Sequence, residues 1–365
     1  MAFLLGSGAS VPASMPRTEE ITAAVLSGEG IVRCTDGVYR FGGPQSFVAG
    51  DTPRVLCLLK VLSSEVGHYY GGTRSANYED YCYVVTQLCD SESGEFDNPA
   101  VQPMIDKLSQ VSELRPLMQS MEDRLRLFRE SQSYIHDVLC QKLAKEPESL
   151  GYLNWLLEGV RDRNVEPDGF FTLNHDRVLE KALRDSGVSY CDGFGPDSDG
   201  IRFWEPGRLE ESDRVRLCKL HGSIDWFWFP SRKTVGIPLA PTRGDPSAQP
   251  VILVGTFNKM QQYTAGIFAD LHCYFCKCLR RLDSLVCCGY GFCDKGVNTK
   301  LAEWIEADHP GRLIVVHPEP DRLMTCSRPA IAKHSRGWQA RGQLNFVEKR
   351  AEEVTWAEVR AALFA

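Results

Sequence analysis

Four times along this chain a short apolar run ends abruptly in glycine or polar residues, and that recurrence limits the fold more than any other feature. "AFLL" drops into Gly6-Ser7-Gly8-Ala9-Ser10, and "GFFTLNHD" ends on Asn174-His175-Asp176. "RVRLCKLHGS" ends on His221-Gly222-Ser223, and "SLVCCGYGF" on Gly289-Tyr290-Gly291. Short apolar runs of this kind read as buried strands. Stretches with helical spacing follow: "TEEITAAVL" with Thr18 as its cap candidate, "RVLEKALRDSG" ending at a glycine, and "GVNTKLAEWIEAD". Further strand candidates are "VSYCDGF", "IDWFWFP", "VILVGT", "RLIVVHPEP" and "LNFVEK". Strands alternating with helices predict an α/β fold with a doubly wound, mainly parallel Rossmann-like sheet covered on both faces.

From about Pro53 to Arg163 the pattern changes. "PRVLCLLKVLSSEVGHYY", "NYEDYCYVVTQL", "PMIDKLSQV", "MEDRLRLFRESQSYIHDVLCQKLAK" and "LGYLNWLLEGVRDR" all repeat apolar residues at intervals of three and four. The expected organisation is therefore a Rossmann-like domain from 1–52 and 164–350, a large all-helical insertion over 53–163, and a C-terminal helix over 351–365. The Pro-, Gly- and Ser-rich "PSRKTVGIPLAPTRGDPSAQP" reads as a long surface loop. The amphipathic "EEVTWAEVRAALFA" follows the last strand candidate, and no separate C-terminal sensor domain is expected.

Charge and cysteine usage exclude several function classes. The formal net charge is -7 and no Lys or Arg run occurs, so there is no electrostatic grip for nucleic acid. No stretch reaches the ~18 apolar residues needed to span a bilayer. The opening run is too short for a signal-peptide core and lacks basic residues before it. The 14 cysteines sit largely in apolar segments, where reduced thiols behave as small hydrophobes, so a cytoplasmic location is expected.

Each strand end admits two readings. The Gly6–Ser10 loop is either a plain turn or a place where backbone amides approach a phosphate ahead of a helix; Val11 breaks the Gly-x-Gly-x-x-Gly pattern. Asn174 and Asp176 either cap the next helix or project into a site. His221 is either a satisfied, partly buried side chain or a base near neutral pH, with Gly222 permitting close backbone approach. The Gly289-Tyr290-Gly291 segment is either a strand-to-helix turn or a site. Their common placement tips the balance, because doubly wound sheets build ligand sites outside the carboxyl ends of their strands.

These residues resemble the sirtuin superfamily, and more closely its bacterial sirtuin-like branch, whose members consume NAD in defence against phage. The family's Gly-Ala-Gly-x-Ser loop and later proline look like Gly6, Ser7, Gly8, Ala9, Ser10 and Pro16. Its Asn-x-Asp motif looks like Asn174-His175-Asp176, its catalytic His-Gly like His221-Gly222, and the branch's Gly-Tyr-Ser-Phe-x-Asp…Asn segment like "GYGFCDKGVN", with Asp294 and Asn298 in place. "NYEDYCYVVTQL" is similar to a Tyr-Glu-Asp helix of the branch. Departures accompany the matches. A zinc module needs about four tetrahedral ligands, and "CYFCKC" offers Cys273, Cys276 and Cys278 without a second spaced pair, so no metal is expected. The family's Pro-Asp-Phe-Arg loop is absent after Pro16, and Gly291 replaces a serine.

The resemblance implies NAD as substrate and cleavage at the nicotinamide ribose. It assigns Asn174 to positioning the ribose and water, Asp176 to the nicotinamide carboxamide, and His221 to general-base catalysis. Gly6, Ser7, Gly8, Ala9, Ser10, Pro16, Thr18, Gly222, Ser223, Gly289, Tyr290, Asp294, Asn298 and His317 are the remaining NAD-binding candidates. The expectation is an NAD+ glycohydrolase giving nicotinamide and ADP-ribose, the effector of an anti-phage system. An ADP-ribosyl transferase or cyclase, or a non-catalytic NAD-binding or ADP-ribose-binding subunit, are the alternatives. A homo-oligomer and a ring-forming ATPase or helicase partner of the HerA type are the expected gates on that activity.

Overall fold

Apolar residues on both faces of successive strands require cover on both sides, and the computed structural model of the chain supplies it. The structure describes residues 1–42, 51–95, 98–239, 249–255 and 258–364. Seven strands form one sheet in the order Leu344–Val347, Arg312–Val316, Ser284–Cys288, Ala2–Leu5, Gly169–Thr172, Val215–Lys219 and Tyr190–Cys191. Every pairing in it is parallel. Alternate residues point to opposite faces. Leu4, Phe171, Cys218, Cys287 and Val315 enter one core with Leu271 and Phe275 of the helix Gly266–Leu279 and Leu301 of the helix Lys295–Ile305. Phe3, Phe170, Leu217, Val286 and Ile314 enter the other, with Trp155, Leu179 and Trp356 from three further helices. The doubly wound α/β class expected from the sequence is the observed one.

The chain's first strand lies between Ser284–Cys288 and Gly169–Thr172, with Leu5 level with both Cys288 and Thr172. Outward from Ala2–Leu5 one side carries Ser284–Cys288, Arg312–Val316 and Leu344–Val347 in chain order, while the other carries Gly169–Thr172 and Val215–Lys219 with the earlier Tyr190–Cys191 at the edge, so the winding changes direction at Ala2–Leu5, the topological switch point. The segments that begin at Gly6, Leu173 and Gly289 therefore emerge side by side at one carboxyl edge.

Several details depart from the sequence reading. The chain divides into two compact units: Met1–Met15, Glu146–Leu253 and Lys259–Ala365 make one, while the other comprises Pro16–Lys145 and a short segment beginning at Val254. The helical block was expected over 53–163; the helix Asn154–Arg161 instead buries Trp155, Leu156 and Leu157 in the sheet-bearing unit. The helix Thr18–Ser27 belongs to the other unit, where Tyr134 Oη donates to the Val25 carbonyl at 3.0 Å. Nor is that unit all-helical. Ile31–Arg33 and Tyr39–Phe41 form an antiparallel pair, tied to the helix Met121–Leu143 by Glu130, which accepts from Arg33 Nε at 2.6 Å and Tyr39 Oη at 2.8 Å.

The sheet-bearing unit also holds a second, five-stranded antiparallel sheet drawn from either side of His221 in sequence, in the order Pro250–Ile252, Gly222–Phe229, Thr234–Pro238, Ile201–Trp204 and Phe194–Ser198. The segment expected to be a long loop thus contributes the strand Thr234–Pro238, and 240–248 lie outside the described residues. The closing helix runs over Trp356–Phe364 rather than from 351.

Candidate functional site

The Gly6–Ser10 loop is held by backbone contact. Gly6 N donates to the Cys288 carbonyl at 3.0 Å and Gly8 N to the Gly289 carbonyl at 2.9 Å. A Cβ on Gly6 would stand 2.6 Å from Gly289 O, and one on Gly289, whose φ is +68°, would stand 2.0 Å from Ala9 N. These glycines are needed because two loops touch backbone to backbone. Ala9 N and Ser10 N donate to the carbonyls of Gly6 and Ser7. Four amides expected to face a phosphate are therefore committed within the fold, while Ser7 and Gly8 remain exposed. The loop runs into two short 3-10 turns, Ser7–Ala9 and Val11–Ala13, instead of passing directly into a helix. Pro16 and Thr18 fall in the other compact unit, and Thr18 is the first helical residue rather than the cap.

Asn174 links this loop to the neighbouring strand end. Its Nδ2 donates to Gly6 O and to Ser10 Oγ, both at 3.0 Å. Its Oδ1 is buried and has no hydrogen-bond partner among the described residues, a costly condition for an amide oxygen unless a ligand or water meets it. Asp176 is buried, and its Oδ1 accepts from Val178 N, the first residue of the helix Val178–Asp185, at 3.0 Å, while the N-cap position itself is Arg177. Ser10, Asn174 and Asp176 nevertheless share the wall of one narrow crevice with Leu153, Thr172 and Glu180.

His221 lies at the next strand end, 3% exposed. Its Nε2 is 2.7 Å from Tyr263 Oη and 3.1 Å from Asp294 Oδ2. Tyr263 Oη donates to that same carboxylate oxygen at 2.9 Å. Asp294 Oδ1 accepts from Val297 N at 2.9 Å and so caps the helix Lys295–Ile305. Burial pushes the Asp294 carboxyl up, but the hydrogen bond and charge of His221, the Lys259 ammonium and the Val297 amide outweigh this and hold it well below the usual carboxylate range. An ionised oxygen facing Nε2 requires a hydrogen there, so in the neutral form of this imidazole the lone pair is on Nδ1.

The other candidates have structural partners. Gly222, φ +79°, brings the chain so close to the strand Pro250–Ile252 that a Cβ would sit 2.1 Å from Val251 O. Ser223 Oγ donates to the His175 carbonyl at 3.3 Å. Tyr290 Oη donates to Asn298 Oδ1 at 2.7 Å, and Asn298 Nδ2 to the Phe292 carbonyl at 2.7 Å; Asn298 is wholly buried and fixes this loop. His317 Nδ1 accepts from Glu319 N at 3.0 Å, and burial lowers its pKa. The structure therefore joins Asn174 to Ser10 and Gly6, and His221 to Asp294, while His317 stands at the end of a strand two places from Ala2–Leu5.

Three residues escaped the sequence reading. Tyr263 carries no motif. Lys219 and Glu180 form a buried ion pair at 2.6 Å; a lysine directly after the apolar Leu217 and Cys218 at a strand end was the available signal, since buried lysines need partners. Among the described residues no group of His, Cys, Asp and Glu could hold a metal ion, and no helix is long and apolar enough to cross a membrane.

Residues 168–338 match the family model of the SIR2-like domain, a span that includes Asn174, His221 and Asp294 but not Gly6–Ser10. Among solved structures, the chain is similar to one from work on the mechanism and regulation of Sir2 enzymes, at 10% identity over 99% of this chain and 91% of that one, TM-score 0.40. It is also similar to a mutant Sir2 homologue in complex with 2'-O-acetyl ADP ribose, at 12% identity over 99% and 90%, TM-score 0.41. A third is Sir2 bound to acetylated peptide, at 10% identity over 93% and 92%, TM-score 0.33. No curated protein matches this chain.

Proposed function

We propose that this chain is an NAD-consuming enzyme of the SIR2 superfamily, an NAD+ glycohydrolase that releases nicotinamide and ADP-ribose. The observation that carries the reading is the buried, unsatisfied Oδ1 of Asn174, held by two hydrogen bonds of its own amide nitrogen at the switch point of the sheet. That oxygen is suited to accept a hydrogen bond from a ribose hydroxyl or from attacking water. The nicotinamide of NAD+ leaves as a neutral base, so the protein need not protonate it. What remains is to stabilise positive charge at the ribose C1' and to supply a nucleophile. Water attacks C1', the bond from C1' to the nicotinamide nitrogen breaks, and His221 Nδ1 takes the proton that water loses. Asp176 is the proposed contact of the nicotinamide carboxamide, and the exposed Ser7 is the proposed pyrophosphate contact.

Purified protein incubated with NAD+ is expected to release nicotinamide. A general base contributes about 10²- to 10⁴-fold, so His221→Ala is expected to lower turnover by that factor, and Asn174→Ala to lower it comparably. Unchanged turnover in both variants would refute the assignment. Mass spectrometry of the product separates hydrolysis from cyclisation or transfer to protein, and ligand-dependent stabilisation without turnover would identify a binding subunit. In cells the reaction depletes NAD. On the sequence resemblance, we propose an anti-phage effector gated by homo-oligomerisation or a HerA-type ring ATPase. Light scattering after size-exclusion chromatography, with and without that partner, tests the gate; a strict monomer in all conditions would overturn it.

A further inference from the structure

The segment Asn174–Asp176 is fastened at three successive residues. Asn174 reaches Gly6 and Ser10 through its side chain. The His175 carbonyl accepts from Ile224 N at 3.1 Å and from Ser223 Oγ at 3.3 Å. The Asp176 carbonyl accepts from Lys219 Nζ, which also donates to Glu180 Oε1 at 2.6 Å. Lys219 and Ser223 lie on either side of His221 in sequence, so the strand end carrying His221 also holds the segment carrying Asn174. Lys219 stands level with Thr172 across the sheet, and Thr172 Oγ1 accepts from Asn174 N at 3.1 Å.

Lys219 is 2% exposed. A buried ion pair is a poor source of stability, because desolvation offsets the attraction and a matched apolar replacement of both partners is often neutral. Breaking the pair by removing one partner leaves a buried charge and costs far more. Burial pushes the Glu180 carboxyl upward, Asp225 adds to this, and Lys219 opposes it. Stability alone therefore gives little reason for a charged pair here. Its geometry gives another, since the ammonium is the one side-chain cation bonded to the backbone of this segment among the described residues.

We propose that Lys219 and Glu180 are positioning residues that fix Asn174 relative to His221: Glu180 orients the ammonium, and the ammonium pins the Asp176 carbonyl. The catalytic consequence rests on the NAD-cleavage reading above; the mechanical one does not. The test compares the wild type with Lys219→Met/Glu180→Gln, which removes both charges together, and with Glu180→Gln alone. The double variant is expected to keep its thermal midpoint near that of the wild type. A misplacement of about 1 Å can cost roughly 100-fold, so kcat is expected to fall about 10- to 100-fold with KM little changed. Native-state amide hydrogen exchange at 174–178 is expected to rise about tenfold or more, reflecting a released segment.

Wild-type kcat and exchange in the folded double variant would overturn the proposal. If the wild type cleaves no NAD+, the exchange measurement still decides the mechanical claim, so the two readings fail separately. If the double variant does not fold, the same exchange comparison in Glu180→Gln decides it, and unchanged protection there refutes the clamp.

Discussion

Replacing Gly289 by alanine tests the close approach on which the site is built. Gly289 adopts φ +68°, and an added Cβ would stand 2.0 Å from Ala9 N and 2.6 Å from Gly8 C. Both are backbone atoms, so no side-chain rotation relieves the clash. The left-handed conformation alone costs an L-residue roughly 1–2 kcal/mol. Separating the loops also strains or breaks the hydrogen bonds from Gly6 N to Cys288 O and from Gly8 N to Gly289 O, each worth about 1 kcal/mol. The expected loss is thus about 3–4 kcal/mol. Gly342 supplies the control: its φ is +70°, yet nothing lies within 4 Å of an added Cβ. Gly342→Ala should therefore lose only the conformational part, about 1–2 kcal/mol. Equilibrium urea unfolding followed by tryptophan fluorescence and far-ultraviolet circular dichroism measures both. Equal losses in the two variants would refute the argument that the Gly6–Ser10 loop is pressed against Gly289.

The Asp294 carboxylate, held ionised in the folded chain, contributes stability above the ordinary aspartate pKa of about 4; this is lost as pH falls through its lower folded value, because the unfolded chain takes up a proton first. Asp294→Asn is expected to flatten the acid limb of urea midpoints by up to one proton, and an unchanged limb would contradict the His221–Tyr263–Asp294 arrangement. A chelator is expected to leave the thermal midpoint unmoved, since the described residues contain no metal-binding cluster; a clear fall would reveal a structural metal.

The parallel sheet was legible because its strands are buried on both faces and so appear as continuous apolar runs such as "SLVCC". The antiparallel character of the second sheet was not, because Gly222–Phe229 is aromatic throughout its second half and lacks a clean alternation. The pair Ile31–Arg33 and Tyr39–Phe41 had a usable signal in Asp36-Gly37, a turn dipeptide between two β-prone runs, with Gly37 at φ +86°. Helical periodicity revealed that residues around Trp155 form a helix without telling which core receives them. At the site, His221 and Asn174 were readable as polar residues at strand ends. The glycines were read as making room for a ligand, and the structure uses Gly6, Gly222 and Gly289 to let protein backbones meet. Tyr263 lay beyond reach because its partners, His221 and Asp294, are 42 and 31 residues away in sequence.

The central position of the strand Ala2–Leu5 orders events during synthesis. Its neighbours are Gly169–Thr172 and Ser284–Cys288, so a nascent chain must shelter this apolar segment until both have left the ribosome. At typical elongation rates the second neighbour follows the first by on the order of ten seconds. A polypeptide terminated before Cys288 would have neither the Gly289 seat for its opening loop nor Asp294 beside His221. The arrangement makes assembly of the pocket wait for residues as far as Asp294, and termination before them yields a product without it.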